Sequence, residues 1–173
     1  MHLGIDLDVR DLQQTDLDAL EWSGGAAHRR TLAGVVEATW RGDAEAVVAE
    51  LPTGVVVAMG ALDVARSTEW AWLWLLAVHP DWQRLGLGTA LVRELEARAA
   101  ASGLPAVRLA AEHDNPGAAS LYRRLGYRQV DSVVESWPDD AGRRYVTVSS
   151  VFERRLGGRR PAPGGLGDRR GRH

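Results

Sequence analysis

The sequence contains no cysteine among its 173 residues and no lysine, so all 21 basic side chains are arginine. The lack of cysteine excludes disulfide bonds, metal sites built on thiolates and any mechanism with a cysteinyl intermediate. The chain also lacks an apolar run near the ~20 residues that a membrane-spanning helix needs, and its first residues lack the basic and apolar segments of a secretory signal. These absences predict a cytoplasmic protein.

Charge is distributed unevenly along the chain, although the formal net charge is only −2. Residues 1–153 carry 14 arginines against 22 acidic side chains (net −8), whereas residues 154–173 carry seven arginines against one aspartate (net +6). The acidic body favours the approach of cationic substrates. The Gly-, Arg- and Pro-rich composition predicts a disordered tail at 157–173 after a single domain at 1–156. Such a tail is more often a solvated extension than a polyanion site, so nucleic acid is not an expected partner.

Hydrophobic periodicity predicts a mixed sheet flanked by helices, in the order β-α-α-β-β-β-α-β-α-β-β. One helix signal starts at Thr15, and a second apolar stripe ends before Gly42. The predicted strands cover 3–9, 45–51, 55–65, 69–78, 106–111, 127–137 and 144–153, and the later helices cover 88–102 and 116–125. Strand 69–78 is apolar on both faces after its first residue, which places it in the middle of the sheet. The fold class is therefore α/β (α+β).

The most informative segment is the turn at 78–90, which joins the central strand to the N-terminus of a helix. The first backbone N–H groups of a helix have no intrahelical partner and lie at the positive end of its dipole, so they can bind a phosphate. Gly86 and Gly88 leave room for a phosphate at the backbone. The segment lacks the Gly-Lys-Ser/Thr ending of a P-loop, and Leu91 stands where a dinucleotide fingerprint requires glycine. A different kind of phosphate binder is indicated.

Two sequence blocks resemble the GNAT superfamily of N-acetyltransferases. Gln83, Gly86 and Gly88 match the Q/R-x-x-G-x-G/A signature after a buried strand. The second block matches the segment N-x-x-A-x-x-L-Y-x-x-x-G-F/Y through Asn115, Ala118, Leu121, Tyr122, Gly126 and Tyr127. Both blocks stand in the element order of that family, so the resemblance extends over residues 3–153 and is most specific over 76–127.

The resemblance implies acetyl-CoA as cosubstrate and a sheet that splays apart at its centre. The pyrophosphate would lie on the loop N–H groups and the pantetheine arm along strand 69–78, with an N–H near Leu76 stabilising the oxyanion. The cofactor-binding residues implied in this way are Leu76, Ala77, Val78, Gln83, Arg84, Leu85, Gly86, Leu87, Gly88, Thr89 and Asn115. Tyr122 matches the family's general acid, which protonates the departing thiolate of coenzyme A.

The general base is not identified by the resemblance, because tryptophan and leucine fill the central strand where many family members place a glutamate. Glu69, at the start of strand 69–78, and Glu112, at the end of the next strand, are the candidates. For each of them a solvated carboxylate at a strand end is an equally good interpretation. Both candidates therefore stay open.

Aromatic side chains are the candidates for the acceptor pocket. Trp70, Trp72 and Trp74 share one strand face by their spacing of two, which suits either a wall that binds an amine by cation–π contact or ordinary core packing. Trp22 and Trp40 lie in or near the two helices with which this family commonly builds its acceptor pocket. The five histidines show no metal-ligand spacing, so no metal site is predicted.

These features together predict an N-acetyltransferase that moves the acetyl group of acetyl-CoA to a primary amine. The amine attacks directly in a ternary complex, since no cysteine is available for an acyl-enzyme. The acceptor is a small-molecule or peptide amine, and a homodimer is compatible with the family. The alternatives are a non-catalytic acyl-CoA-binding or regulatory module and a polyanion-binding protein led by the arginine tail.

Overall fold

A computed structural model describes residues 6–139 and 141–157, so residues 3–5 of the predicted first strand and nearly all of the predicted tail lie outside the described residues. The strands are β1 (Asp8–Asp11), β2 (Ala44–Glu50), β3 (Val56–Asp63), β4 (Ala71–Val78), β5 (Ala106–Glu112), β6 (Arg128–Pro138) and β7 (Arg144–Arg155). The α-helices are α1 (Ala26–Arg41), α2 (Leu87–Ala101) and α3 (Pro116–Arg124). From β2 onward, the predicted element order is confirmed.

The strands form one mixed sheet in the order β1-β2-β3-β4-β5-β7-β6. All neighbours are antiparallel except β4 and β5, which are parallel and connected through α2. The prediction of a mixed sheet flanked by helices, with 69–78 as its central strand, is confirmed. None of the described helices has the length and apolar character needed to cross a bilayer.

The N-terminal segment differs from the sequence prediction in two places. β1 begins at Asp8, because its register partner Glu50 is the last residue of β2, so residues 6 and 7 have no strand to pair with. Two short 3-10 segments, Gln14–Asp16 and Asp18–Ser23, replace the helix predicted from Thr15. The buried Asp16 carboxylate accepts hydrogen bonds from the Arg10 guanidinium at 2.8 and 2.9 Å and from a backbone N–H at 2.8 Å. These bonds tie the segment to β1 in place of a regular helix.

Two hydrophobic clusters cover the opposite faces of the sheet. One packs α2 and α3 against the sheet through side chains such as Leu91, Leu95 and Phe152. The other packs α1 against the opposite face through side chains such as Leu32 and Val36. A central strand between two such layers must be apolar on both faces, which is the pattern that β4 shows.

The parallel pair β4 and β5 is joined only at its start. Its register pairs are Ala71 with Val107 and Trp72 with Arg108, and the strands separate beyond them. On the other edge of β4, the register with β3 slips by one residue opposite Gly60, and Leu75 takes a left-handed backbone with φ 54°. Such a bulge bends a strand. The edge of β4 that faces β5 therefore has no strand partner after Trp72, and a cleft opens there at the centre of the sheet.

Candidate functional site

A cavity of about 1060 Å³ lies where β4 and β5 separate. It is bounded by the ends of both strands, by the loop that enters α2, and by α3. It brings together most of the residues singled out in the sequence: Leu76, Val78, Gln83, Arg84, Gly86, Leu87, Gly88, Thr89, Glu112, Asn115 and Tyr122. Two of the implied cofactor residues do not line it. Ala77 packs toward α1 on the opposite face, and Leu85 is exposed to solvent.

The loop between β4 and α2 is held by its own polar contacts. The Gln83 side-chain amide donates to the Val78 carbonyl oxygen at 3.2 Å, which anchors the loop to the end of β4. The His79 imidazole accepts from the backbone N–H of Asp81 at 3.3 Å. Arg84 and Gly86 both have positive φ angles, 64° and 91°, so the chain turns sharply before the helix. The glycine at 86 adopts this conformation without steric strain.

The N-terminus of α2 points free backbone donors at the cavity. The Ala90 N–H bonds to the Gly86 carbonyl at 3.0 Å, so the first helical N–H groups, from Leu87 to Thr89, have no intrahelical acceptor. A Cβ built on Gly88 would lie 3.4 Å from the Leu121 side chain of α3 and 4.0 Å from Val78, so the passage there is narrow. Free donors, the helix dipole and an unsubstituted backbone together fit a pyrophosphate.

Two arginines add positive charge to this end of the cavity. Arg84 and Arg124 both line it, and Arg124 Nη1 donates to the Ser120 hydroxyl at 3.0 Å. The sequence analysis missed Arg124, although it stands two residues after Tyr122 in the second family block. The available signal was helical spacing, since positions 117, 120, 121 and 124 fall on one face of α3 and all line the cavity.

The Tyr122 side chain lies in the wall of the same cavity. Its ring packs edge-on against Phe152, and the residue is only 5% exposed. Burial raises the pKa of Tyr122 to about 12. The described residues give its hydroxyl no hydrogen-bond partner, whereas the hydroxyl of the neighbouring Tyr127 donates to the Glu96 carboxylate at 2.9 Å. Tyr122 is therefore a protonated hydroxyl that can donate to a group in the cavity.

The two candidate bases occupy very different places. Glu112 is the last residue of β5, is half-buried and lines the cavity. Burial, assisted by repulsion from Asp114, raises the pKa of the Glu112 carboxyl, while a hydrogen bond of 3.3 Å from the Tyr145 hydroxyl opposes the increase. Glu69 is exposed in the turn before β4, at the end where β4 and β5 are still paired, and lines neither this cavity nor the next. Of these two carboxylates, Glu112 is the one that the fold places at the cavity.

A second cavity of about 900 Å³ opens on the α1 side of the cleft. It shares Leu73, Trp74, Leu75, Ala110 and Glu112 with the first cavity, so the two meet at the split between β4 and β5. Among the residues that the structure describes, its charged lining consists of the carboxylates Glu112, Glu135 and Asp139 and of one guanidinium, Arg30. A group entering this cavity and a group lying in the first one would face each other at Glu112.

The tryptophans separate into different environments. Trp72 and Trp74 line the second cavity, and the β6 residue Trp137, which the sequence analysis missed, lines it too. Trp70 lines neither cavity. The Arg108 guanidinium lies 4.9 Å from the Trp70 ring centroid, and that of Arg66 lies 5.0 Å from the Trp72 ring centroid. The chain's own arginines therefore occupy the cation–π positions at these two rings.

Trp22 and Trp40, the two other tryptophans that the sequence analysis named for the acceptor pocket, lie outside both cavities. Trp22 packs against His79 with ring centroids 5.2 Å apart, whereas Trp40 is 72% exposed. Within 6–139 and 141–157, no three side chains of the His, Asp or Glu type are grouped in a way that could hold a metal ion.

Comparisons with known proteins bear on the family and the fold of the chain. Residues 9–127 match the model of the acetyltransferase (GNAT) family. An acetyltransferase of Sodalis glossinidius is 36% identical over 89 residues, which are 51% of this chain and 60% of that protein. An acetyltransferase of Pectobacterium atrosepticum is 33% identical over 75 residues, 43% of this chain and half of that protein. The matches thus span only about half of each curated relative.

Solved structures share the fold over most of the chain. The ribosomal-protein-S18-alanine N-acetyltransferase of Escherichia coli superposes with a TM-score of 0.71 at 23% identity, covering 91% of this chain and 97% of that one. The spermidine/spermine N-acetyltransferase SpeG of Vibrio cholerae gives 0.67 at 17% identity, covering 86% and 92%. At these identities the likeness shows the fold alone. With the family model matched over 9–127, the chain belongs to the GNAT family of acetyltransferases.

Proposed function

We propose that this chain transfers the acetyl group of acetyl-CoA to a primary amine of a cationic acceptor, by direct attack in a ternary complex. The observation that carries the proposal is the meeting of two cavities at the split between β4 and β5. One has a phosphate-binding loop and Tyr122, the other is lined by carboxylates, and Glu112 stands at the junction. Two proteins of known structure that share this fold are named for acetylating amines, an alanine of a ribosomal protein and spermidine/spermine.

In this proposal the first cavity holds acetyl-CoA. The N–H groups of 87–89 and the guanidinium groups of Arg84 and Arg124 bind its phosphates. The pantetheine arm, which resembles a peptide, pairs with the free edge of β4 beyond Trp72. A backbone N–H near Leu76 donates to the thioester oxygen as negative charge develops there. The cleft between β4 and β5 is what leaves this edge available.

In this proposal Glu112 accepts a proton from the amine and Tyr122 donates a proton to the leaving thiolate. An ammonium with a pKa near 10.4 costs roughly 4 to 5 kcal/mol to deprotonate at neutral pH, so a base must assist. The raised pKa of Glu112 makes its carboxylate a stronger base than that of an ordinary glutamate. Tyr122, protonated and without a partner among the described residues, donates its proton to the departing thiolate.

Calorimetric titration with acetyl-CoA tests the loop directly. We expect wild-type protein to bind acetyl-CoA and coenzyme A but not ATP, and the double variant Gly86→Glu/Gly88→Glu to lose binding, since carboxylates would fill and repel the phosphate site. Gly103→Glu is the matched control. Like Gly86, Gly103 has a positive φ and no atom within 4 Å of its Cβ position, but it lies at the other end of α2.

The outcomes of this titration separate the candidate functions. Absence of acetyl-CoA binding to folded wild-type protein would contradict the whole proposal. Binding without amine-dependent thiol release, across a panel of diamines, monoamines and peptides, would indicate a non-catalytic acyl-CoA-binding module instead.

The role of Arg124 can be tested with two acetyl donors of different charge, acetyl-CoA and acetyl-pantetheine. We expect Arg124→Ala to weaken acetyl-CoA binding about five- to tenfold, the value of one partly exposed charge-assisted contact. Binding of acetyl-pantetheine, which has no phosphate groups, should stay unchanged. Arg123→Ala is the control, since its guanidinium lies over the Phe152 ring and outside the cavity. If the binding of acetyl-CoA and of acetyl-pantetheine weakened equally, Arg124 would not be binding phosphate.

A further inference from the structure

His28 is a polar residue in the second cavity that the sequence analysis did not single out. It belongs to the first turn of α1 and lines the acceptor side but not the acetyl-CoA side. The residues shared by both cavities lie on β4 and β5 and mark the place of the reaction. His28 therefore lies along the acceptor, away from the reacting nitrogen.

A hydrogen bond to Ser23 fixes the protons on the imidazole. The Ser23 hydroxyl donates its single hydrogen to the Leu20 carbonyl oxygen at 2.7 Å. His28 Nε2 lies 2.9 Å from the same hydroxyl oxygen, which can then only accept. The proton of the neutral imidazole must therefore be on Nε2, and Nδ1 carries a lone pair.

Gly24 fixes the orientation of the ring. A Cβ built on Gly24 would lie 2.7 Å from Cβ and Cγ of His28 and 2.9 Å from its Cδ2. The φ of Gly24 is 165°, an extended value open to any residue, so this glycine is needed for space. With the Cγ–Cδ2 edge on Gly24 and Nε2 on Ser23, the ring edge left for the cavity contains Nδ1 and Cε1.

The surroundings of His28 leave its Nδ1 able to accept a hydrogen bond. Burial lowers the pKa of His28, so the imidazole is neutral at neutral pH. Among the described residues no donor takes the Nδ1 lone pair. The carboxylates of Glu135 and Glu112 line the same cavity, whereas both oxygens of Asp139 are held by Arg143. Arg30, the one cation among the described residues of the lining, is solvent-exposed on α1. The charged groups of the described lining are thus mostly anionic, and Nδ1 adds a neutral acceptor to them.

We infer that His28 Nδ1 accepts a hydrogen bond from the acceptor at a position other than the reacting nitrogen. The acceptor is then a cationic amine that carries a second N–H or O–H donor, such as a diamine or a peptide with a free N-terminus. This inference rests on the proposed acetyl transfer and narrows its substrate class. It makes His28 an acceptor-binding residue.

Two variants divide the functions of the imidazole. In His28→Asn the amide oxygen stands near the place of Nδ1 but the bond to Ser23 is lost, whereas in His28→Gln the amide reaches Ser23 but nothing replaces Nδ1. Thiol release by the full chain is measured with acetyl-CoA and three acceptors: 1,4-diaminobutane, triglycine and 1-aminobutane. 1-Aminobutane has no second N–H or O–H group. Thermal unfolding of each variant checks that it is folded.

We expect wild-type protein to prefer at least one of the two donor-bearing acceptors over 1-aminobutane by roughly tenfold in kcat/KM, mainly through KM. His28→Asn should keep this preference and His28→Gln should lose it. The opposite pattern would show that His28 only supports the fold through Ser23 and would overturn the inference. Equal use of 1-aminobutane by wild-type protein would overturn it as well. Absence of thiol release with every acceptor would contradict the proposed function itself.

An NMR spectrum of protein with ¹⁵N-labelled histidine provides a readout that needs no acceptor. His28, assigned through the His28→Gln variant, should show the tautomer protonated on Nε2 at pH 7. Ser23→Ala should shift the population toward the other tautomer. A proton on Nδ1 in wild-type protein would exclude the proposed role.

Discussion

Replacing Tyr122 with phenylalanine should lower kcat about 10²-fold or more while the Kd for acetyl-CoA changes little. The change removes one oxygen from a ring that is already packed against Phe152, so the wall of the cavity keeps its shape. What is lost is the proton that the thiolate would receive. The measurement is steady-state thiol release at saturating amine, combined with calorimetry of acetyl-CoA binding.

Tyr127→Phe is the matched control for this variant. Tyr127 is equally buried and lies next to Tyr122, but its hydroxyl donates to Glu96 on α2 and does not line the cavity. Its loss should reduce the free energy of unfolding by about 1 to 3 kcal/mol, because the Glu96 carboxylate loses a buried donor. Its kcat should stay near the wild-type value. If both variants lost kcat equally, the effect would be structural and Tyr122 would not be the acid.

The pH dependence gives a second check on Tyr122. A general acid must be protonated, and a pKa of about 12 keeps Tyr122 protonated over the usual assay range. Wild-type kcat should therefore show no loss from this group between pH 7 and roughly pH 10, since that range stays below the raised pKa. A fall in kcat around the ordinary tyrosine pKa, absent from the phenylalanine variant, would contradict the buried and unpaired environment.

Replacing Glu112 with glutamine should lower kcat about 10²- to 10³-fold and remove the acidic limb of the pH–rate profile. A base works when deprotonated, so activity in the wild-type protein rises as the pH passes upward through the pKa of Glu112. Because burial raises that pKa, the limb should lie above the range of an ordinary glutamate. The glutamine variant keeps the size of the side chain and loses only its basicity.

Two further variants isolate the role of Glu112. Tyr145→Phe removes the hydrogen bond that lowers the pKa of Glu112, so the acidic limb should move to higher pH while the limiting kcat is retained. Glu69→Gln changes the other sequence candidate, which lies outside both cavities, and should leave the profile unchanged. An acidic limb that persisted in Glu112→Gln would assign it to a different group or to an ordered water.

Local signals in the sequence were sufficient for the elements around the site. Asn115 accepts from the Ala118 N–H at 3.1 Å and caps α3, and Pro116 opens this helix at its predicted first residue. Gly86 has the positive φ expected of a glycine that turns the chain into a helix. These features depend on a few consecutive residues, so the sequence alone predicts them. The prediction of a helix from Thr15 was wrong because Asp16 bonds to Arg10 in β1, and a helical sequence pattern contains no information about that contact.

The order of the elements from β2 onward, the central position of β4 and the glycine turn before α2 were determined by the sequence by itself, since each follows from periodicity, capping or the spacing of glycines. Only the tertiary structure distinguished Glu112 from Glu69, because which strand ends meet at the cleft depends on the pairing of β4 with β5. The same pairing and the slip of register opposite Gly60 create the second cavity. There the structure added His28, Glu135 and Trp137, which lie far apart in the chain and come together only in the folded protein.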